Sequence, residues 1–197
     1  MPSSNKCPMA CRRNGAIFSA FAVLVVALLC AGVTAGVHHG LAGAFAASDL
    51  ALDEAKGGAQ RKLLFPDATS FESQSAPAVE GLNSVYKADT GAWVFDVTSA
   101  QGYHGDVELM VGINADGTVA GIQVVAEDET DGIGTNAFTE EYFGGFAGAP
   151  AAGELTVDEA GAGQTHVDAV SGATFTSRAV VDCLNIAFAA YAQMGGN

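Results

Sequence analysis

Basic side chains are scarce in this sequence of 197 residues: eight Lys and Arg stand against 22 Asp and Glu, giving a formal net charge of −14. Nucleic acid is therefore not an expected partner, because phosphate backbones are bound by surfaces rich in Lys and Arg. Charged residues make up 15% and hydrophobic residues 49%, a composition too apolar for a disordered protein. The length suits one domain with an appendage.

Cysteines are also few, and their distribution favours no disulfide framework. Cys7 and Cys11 have a loose metal-like spacing but lack a second pair of ligands, so we expect no metal site. Cys183 stands alone in an apolar helical pattern, which is typical of a small buried hydrophobic residue.

The longest apolar run covers residues 16–37 and contains no charged residue. About 20 apolar residues are enough for a helix to cross a bilayer, so the run predicts a transmembrane helix. Arg12 and Arg13 precede it, and all 22 acidic residues follow it. Because basic flanks stay on the cytoplasmic side, we expect residues 1–15 to form a cytoplasmic tail and the main domain to lie outside the cytoplasm, in a cell (inner) membrane protein with a single span.

Two alternatives to a retained anchor stay open. A cleaved signal peptide has a shorter apolar core, although Ala42-Gly43-Ala44 resembles its cleavage site. Lipid attachment at Cys30 is the other alternative, but Leu29 before it is larger than the residue that such signals carry there.

After the apolar run, residues 38–69 predict a helical stalk, broken at Gly57-Gly58, and residues 70–197 an extracytoplasmic domain. Residues 70–81 are polar and predicted to be irregular. Two hairpins follow, the first with Asp89-Thr90-Gly91 between its strands and the second with Asn114-Ala115-Asp116-Gly117.

Helical patterns follow the two hairpins. Residues 138–146 predict a short helix and, after a linker rich in Gly and Ala, residues 179–194 predict a longer one. Strands followed by helices indicate an α+β fold, with an antiparallel sheet and packed helices.

The segment with the clearest chemical meaning is residues 168–177, Asp-Ala-Val-Ser-Gly-Ala-Thr-Phe-Thr-Ser, just before the last predicted helix. Its hydroxyl side chains, Ser171, Thr174, Thr176 and Ser177, are candidate helix caps. A helix N-terminus can hold a phosphate without Lys or Arg, because its first backbone N–H groups have no partner within the helix. The alternative interpretation of this segment is an ordinary capped helix that binds no phosphate.

Residues 168–174 resemble the D-x-x-S-G-A-T signature of proteins that carry covalent FMN. In that family a flavin transferase joins the FMN phosphate to the last threonine of the signature as a phosphodiester. The resemblance implies that Thr174 is the acceptor and that the transferase recognises Asp168, Ser171, Gly172, Ala173 and Thr174.

A second stretch extends the resemblance over most of the exported domain. Gly102-Tyr103-His104-Gly105, the second hairpin and Glu129-Thr130-Asp131-Gly132-Ile133-Gly134 occur in this order. Together they are similar to the G subunit of Rnf ion-translocating ferredoxin:NAD oxidoreductases and to the C subunit of sodium-translocating NADH:quinone oxidoreductases. The family usually reads E-T-P-G-L-G, so Asp131 replaces a proline and Ile133 a leucine.

The resemblance implies an FMN-binding domain that works as an electron-transfer subunit, with FMN covalently bound to Thr174 and with the other subunits of a membrane complex as partners. The implied flavin contacts are Ser171, Gly172, Ala173, Thr176, Tyr103, Glu129, Thr130, Gly132 and Gly134. No catalytic residue of the chain's own is expected. A free-standing membrane-anchored flavin carrier and a cofactor-free binding module remain alternative functions.

Other polar and aromatic residues have simpler interpretations. His104 and His166 lack a metal-ligand spacing or a nucleophile context, and we expect them to be exposed. The acidic run 127–129 is interpreted as a solvated strand end, although Glu129 could also line the flavin. Trp93 and Phe95 share strand parity and are predicted to lie in the core, whereas Phe175 is a further candidate for a contact with the flavin ring.

Overall fold

A computed structural model describes residues 57–196 of the chain. The predicted cytoplasmic tail, the predicted transmembrane helix at 16–37 and the first part of the predicted stalk lie outside these residues. Within residues 57–196, no helix has both the length and the apolar character that a membrane span requires.

A five-stranded antiparallel sheet forms the centre of the fold, and each strand pairs with the next one in sequence. Its strands are β1 (Phe71–Gln74), β2 (Leu82–Ala88), β3 (Trp93–Ser99), β4 (Val107–Ile113) and β5 (Val119–Ala126). Both predicted hairpins are confirmed. Gly91 and Gly117 in their turns have φ values of 87° and 82°, in the left-handed region that glycine adopts without a steric cost.

Helices cover both faces of the sheet. Helix α1 (Gly58–Leu64) contacts β4 and β5, and α3 (Thr174–Gln193) contacts β3 and β4. Between β5 and α3 lie a 3₁₀ turn (Gly134–Phe138), α2 (Glu140–Gly144) and a small parallel pair, β6 (Glu154–Thr156) and β7 (Gln164–His166). The predicted antiparallel sheet with packed helices is confirmed.

The core follows the two-residue period of the strands, because successive side chains point to opposite faces. Val85, Phe95 and Leu109 belong to the main cluster, which includes α3, whereas Val94 and Met110 pack in a second cluster with Leu64 of α1 and with Phe65. Phe95 is fully buried, as predicted, and stacks on the half-buried Trp93 at 6.4 Å between ring centroids. Cys183 is also fully buried.

Sequence-based boundaries differ from the structure in several places. Residues 70–81, predicted to be irregular, contain β1, which pairs with β2 at the sheet edge. Residues 58–64, predicted as stalk, form α1, which packs on the sheet because Leu64 contributes to the second cluster. The short helix predicted at 138–146 is divided between the 3₁₀ turn and α2, and Thr139 between them accepts a hydrogen bond from the Tyr142 N–H at the start of α2.

The last helix begins at Thr174, five residues before the predicted start. Its first five residues include Phe175 and Arg178, which do not continue the buried stripe of the later turns. The predicted linker before it contains β6 and β7, which are only three residues each and too short to give a strand pattern.

Candidate functional site

Three segments that are distant in sequence meet at one end of the sheet. They are the loop between β3 and β4, the segment that follows β5, and the start of α3. Together they line a cavity of about 510 Å³. The lining residues are Tyr103, His104, Glu129, Thr130, Ile133, Gly134, Gly172, Ala173, Phe175 and Thr176.

The carboxylate of Glu129 joins the three segments. Its Oε1 accepts hydrogen bonds from the backbone N–H groups of Tyr103 (2.7 Å) and His104 (3.1 Å). Its Oε2 accepts a hydrogen bond of 2.5 Å from the hydroxyl of Thr176 in α3. Glu129 is 8% exposed and Thr176 1%. The sequence-based interpretation of residue 129 as part of a solvated strand end is therefore wrong, because three donors replace the water that a buried carboxylate loses.

Two glycines allow the backbone to approach this carboxylate. A Cβ atom at Gly134 would lie 2.7 Å from Glu129 Oε2, and one at Gly102 would lie 2.8 Å from Glu129 Oε1. Both distances are shorter than a side chain allows. Gly132 has a different role, because its φ of 73° lies in the left-handed region. Its N–H donates to the Thr135 hydroxyl at 2.9 Å, which closes the loop before the 3₁₀ turn.

The signature segment turns sharply before α3. The Ala173 N–H donates to the Val170 carbonyl at 2.9 Å, and Gly172, the third residue of this turn, has a φ of 82°. Glycine is the residue that a type II turn favours at this position. The Ser177 hydroxyl accepts a hydrogen bond of 3.0 Å from the Val170 N–H and so fixes the turn to the helix.

The helix start itself differs from the predicted capping. Ala173 occupies the N-cap position, and no side chain caps the helix there. Thr174 is the first helical residue and is exposed, whereas Thr176 and Ser177 are buried and bonded elsewhere. The hydroxyl of this exposed residue therefore belongs to a helix N-terminus whose backbone N–H groups and dipole favour an anion.

Large apolar side chains surround the cavity. Tyr103 is 63% exposed, and Ile133 and Phe175 are each 54% exposed. The rings of Tyr103 and Phe175 lie 5.8 Å apart, and the Tyr103 ring also lies 5.0 Å from that of His104. An apolar, partly aromatic wall with a few polar groups is typical of small-molecule sites.

Most of the residues that the resemblance implied meet at this cavity. Those that line it are Tyr103, Glu129, Thr130, Gly134, Gly172, Ala173 and Thr176. Thr174, Ser171 and Gly132 adjoin lining residues in the chain but do not line the cavity themselves. Ile133 and His104 line it although the sequence did not predict them as flavin contacts. Their only sequence signal is that they lie next to predicted residues.

The remaining polar predictions concern exposed residues. His104 and His166 are exposed, as predicted. His166 Nε2 lies 3.5 Å from the Oδ1 atom of Asp168, whose carboxylate is fully exposed. No group of three or more His, Cys, Asp or Glu residues within 57–196 has the geometry to hold a metal ion.

A second cavity of about 970 Å³ lies on another side of the signature segment and is lined by Asp168 and Val170, among others. Tyr142 also lines it, and burial raises the pKa of this phenol, with the negative charge of Asp168 adding to the effect. The smaller cavity is the better candidate for a group attached at Thr174, because Ala173 and Phe175 on either side of that residue line it.

Comparisons with known proteins agree with this geometry. Residues 102–189 match the family of FMN-binding domains. The G subunit of the Na⁺-translocating ferredoxin:NAD⁺ oxidoreductase complex of Acetobacterium woodii is 30% identical over 152 residues, which are 68% of this chain and 73% of the relative. The chain belongs to this G-subunit family.

The chain is also similar to a second G subunit and to a C subunit of a different complex. The G subunit of the proton-translocating ferredoxin:NAD⁺ oxidoreductase complex of Clostridium ljungdahlii is 34% identical over 123 residues, which are 60% of this chain and 63% of the relative. The C subunit of the Na⁺-translocating NADH-quinone reductase of Parabacteroides distasonis has a solved structure with 22% identity and a TM-score of 0.46, covering 57% of this chain and 61% of its own.

Proposed function

We propose that this member of the G-subunit family is a membrane-anchored electron carrier with FMN joined to Thr174 by a phosphodiester. The observation that carries the proposal is the exposed Thr174 hydroxyl at the start of α3, next to the apolar cavity. The match to FMN-binding domains spans both features. Bound FMN supplies the redox chemistry, and the protein positions it and adjusts its potential.

The residues present fit such a group. The phosphodiester keeps one negative charge, which the N-terminus of the 20-residue helix α3 favours. Gly172, two residues before Thr174, carries no side chain, and the space beside it is open because nothing lies within 4 Å of where its Cβ would be. Tyr103, Ile133 and Phe175 are the exposed apolar side chains available to contact the flavin ring.

Thr174 and Thr176 differ in how accessible they are to a modifying enzyme. Thr176 is 1% exposed, and its hydroxyl donates to Glu129. A flavin transferase therefore has access to the hydroxyl of Thr174 but not to that of Thr176. We propose that the exposed Asp168 and the turn at 170–173 form part of the surface that the transferase recognises.

Mass spectrometry of the full chain coexpressed with a flavin transferase tests the attachment. We expect an added mass equal to FMN less one water, on the peptide that contains Thr174. Thr174→Val should abolish the adduct, because it retains the shape of the side chain but removes the hydroxyl. An unmodified wild type, with the transferase shown to be active on another acceptor, would reject the proposal.

We further propose that the chain works within a membrane complex, with residues 16–37 as its anchor and the described lobe outside the cytoplasm. The relatives are named as subunits of oxidoreductase complexes that move ions, with ferredoxin and NAD⁺ as the redox pair. A tagged full chain extracted in mild detergent should copurify with the other subunits of such a complex. Recovery of a flavinylated chain without them would favour a free-standing carrier.

A further inference from the structure

We propose that the rim of the Thr174 cavity is a docking surface for a redox partner whose contact face carries Lys or Arg around an apolar centre. The rim surface consists of the lining residues Tyr103, Ile133 and Phe175 together with Asp128 and Asp131. These two exposed acidic residues do not line the cavity themselves but flank the lining pair Glu129-Thr130 in the chain. The inference rests on the proposed function, because electron exchange requires a partner to approach this cavity. It names the chemistry of that partner, which the proposed function leaves open.

The apolar part of the rim surface is concentrated. Only four large hydrophobic side chains among residues 57–196 are mostly exposed, and three of them line this one cavity. The fourth, Leu63, lies on α1. Single exposed hydrophobic side chains are ordinary on protein surfaces, whereas a group of them around one opening is typical of an interaction site.

The charged part of the rim surface is negative. Asp128 and Asp131 are exposed, and Asp131 immediately precedes the Gly132-Ile133 turn. Asp131 therefore adds a negative charge beside the lining residues Thr130 and Ile133.

The basic residues of the described lobe lie elsewhere or are paired. Lys87 lies over the ring of Trp93, at the end of β3 opposite to the cavity, and Lys62 donates to the Ala68 carbonyl. Arg61 is buried and lies over the Tyr86 ring. Arg178 lies over the Phe175 ring, 5.6 Å from its centroid, but its guanidinium pairs with Asp158, so the charge of this cation near the rim surface is balanced by a carboxylate. The charge distribution therefore makes the cavity end attractive to cations and repulsive to an anionic partner.

These features match a short-lived electron-transfer contact. One electron leaves the bound FMN and the redox centre of the partner gains it, without any bond being formed or broken. Such contacts are small and must separate again, so charge complementarity contributes mainly to the rate of encounter and to orientation. A small apolar centre then brings the two redox groups close without holding them together.

Mapping with a trivalent cation tests the rim surface without any flavin. Hexaamminechromium(III), a paramagnetic and inert probe, is titrated into the isotope-labelled full chain in detergent micelles, with Thr174→Ala to keep it flavin-free. We expect the amide signals of Tyr103, Asp131, Ile133 and Phe175 to broaden at several-fold lower probe concentration than those of the β2–β3 turn. Equal broadening of both regions would overturn the proposal.

A matched pair of variants distinguishes the effect of the charges near the cavity from the effect of the net charge. Asp128→Asn/Asp131→Asn and Asp67→Asn/Glu72→Gln each remove two exposed negative charges, and the second pair lies near the other end of the sheet. The first variant should raise the probe concentration needed for broadening at Ile133 several-fold, and the second by less than twofold. Equal effects would show that only net charge matters and would overturn the inference.

Electron transfer from the flavinylated chain provides the second measurement. The chain is reduced and mixed with ferricytochrome c, a basic haem protein, at several salt concentrations. We expect the second-order rate to fall with salt, and to fall several-fold at low salt in Asp128→Asn/Asp131→Asn but less than twofold in Asp67→Asn/Glu72→Gln. An unchanged rate in the rim variant would contradict the proposal. Lack of the adduct at Thr174 would reject the proposed function alone, since the chromium mapping requires no flavin.

Discussion

At the scale of single residues, the cavity depends on a carboxylate that is shielded from water. Glu129 has three donors, and the Thr176 hydroxyl is the one that α3 supplies. Removing a partner from a buried charged group costs more than a typical hydrogen bond contributes, because the remaining charge stays without a replacement for water.

Thr176→Val should therefore lower the free energy of unfolding by about 1–3 kcal/mol. Thr174→Val, two residues earlier on the same helix, is the matched control. Because Thr174 is exposed, this variant should change stability by less than about 0.5 kcal/mol while losing the FMN adduct. Urea denaturation of the two flavin-free chains measures the difference, and equal stabilities would contradict the role assigned to Thr176.

The close packing at Gly134 leads to a second prediction about a single residue. A methyl group there would lie 2.7 Å from Glu129 Oε2 and 2.9 Å from Glu129 Cβ. Gly134→Ala should therefore cost about 1–3 kcal/mol, as overpacking of a buried site does.

Gly144→Ala is the control for this overpacking effect. It lies in α2 with no atom within 4 Å of its Cβ position, so we expect it to be neutral or to stabilise by up to about 1 kcal/mol. Thermal unfolding of both variants decides whether close packing at Gly134 matters.

The Glu129 contacts also show what sequence reasoning misses. The resemblance implied that residues near 103, 129 and 174 belong to one site, but it did not indicate what holds them together. The acidic run 127–129 gave no sign that its third member is buried, because alternate strand-end residues can face either water or protein. Only the fold brings Thr176 within 2.5 Å of that carboxylate, from 47 residues away.

At the scale of elements, local chemistry determined which parts were predictable. Both hairpins were predicted because their turns carry glycine after Asp or Thr between alternating strands. β1 was missed because its sequence, Phe-Glu-Ser-Gln, is mostly polar and only its pairing with β2 makes it a strand. The first five residues of α3 were missed because Thr174, Phe175 and Arg178 do not belong to the buried stripe.

The β2–β3 turn provides a prediction about pH. Asp89 accepts hydrogen bonds from the Thr69 hydroxyl and N–H, which attach the residues after α1 to this turn. The Thr69 hydroxyl is the largest cause that lowers the pKa of Asp89 below its usual 3.8. A lowered pKa in the folded state means that this contribution to stability is complete above the unfolded-state value and is lost as pH falls through the folded-state value.

Asp89→Asn should therefore be less stable than the wild type at pH 7, and the difference should shrink below about pH 3.8. Asp67→Asn, an exposed acid in the segment after α1 that also contains Thr69, serves as the control with a smaller difference at neutral pH. Urea denaturation at about pH 7, 5 and 3 measures both variants. A difference that grows on acidification would contradict the assignment.

At the scale of the whole molecule, the described lobe combines a sheet buried on both faces with a site at one end. Strand β3 shows the consequence, because Phe95 and Val97 on one face and Val94 on the other are all fully buried. The loops at the cavity end are then free to carry the exposed apolar side chains. This arrangement separates the elements that stabilise the fold, which are the sheet and its two helices, from the chemistry that we propose at Thr174.

The buried thiol of Cys183 gives a measure of how cooperative this core is. Cys183 is fully buried between α3 and the sheet, and its Sγ lies 3.6 Å from the Val107 carbonyl oxygen. Burial raises the pKa of the Cys183 thiol, and the negative charges of Asp182 and Asp96 act in the same direction. The thiol should therefore react only when the core opens, since the thiolate is the reactive form.

With the other three cysteines replaced by serine, Cys183 should resist a thiol reagent in native buffer and react faster in proportion to unfolding as urea is added. Leu63→Cys in a chain that also carries Cys183→Ser is the control, because residue 63 is 66% exposed and should react at once. A Cys183 rate in native buffer close to that control would mean that α3 separates from the sheet without global unfolding. In that case the start of α3, and Thr174 with it, would not be held in a fixed position relative to the cavity.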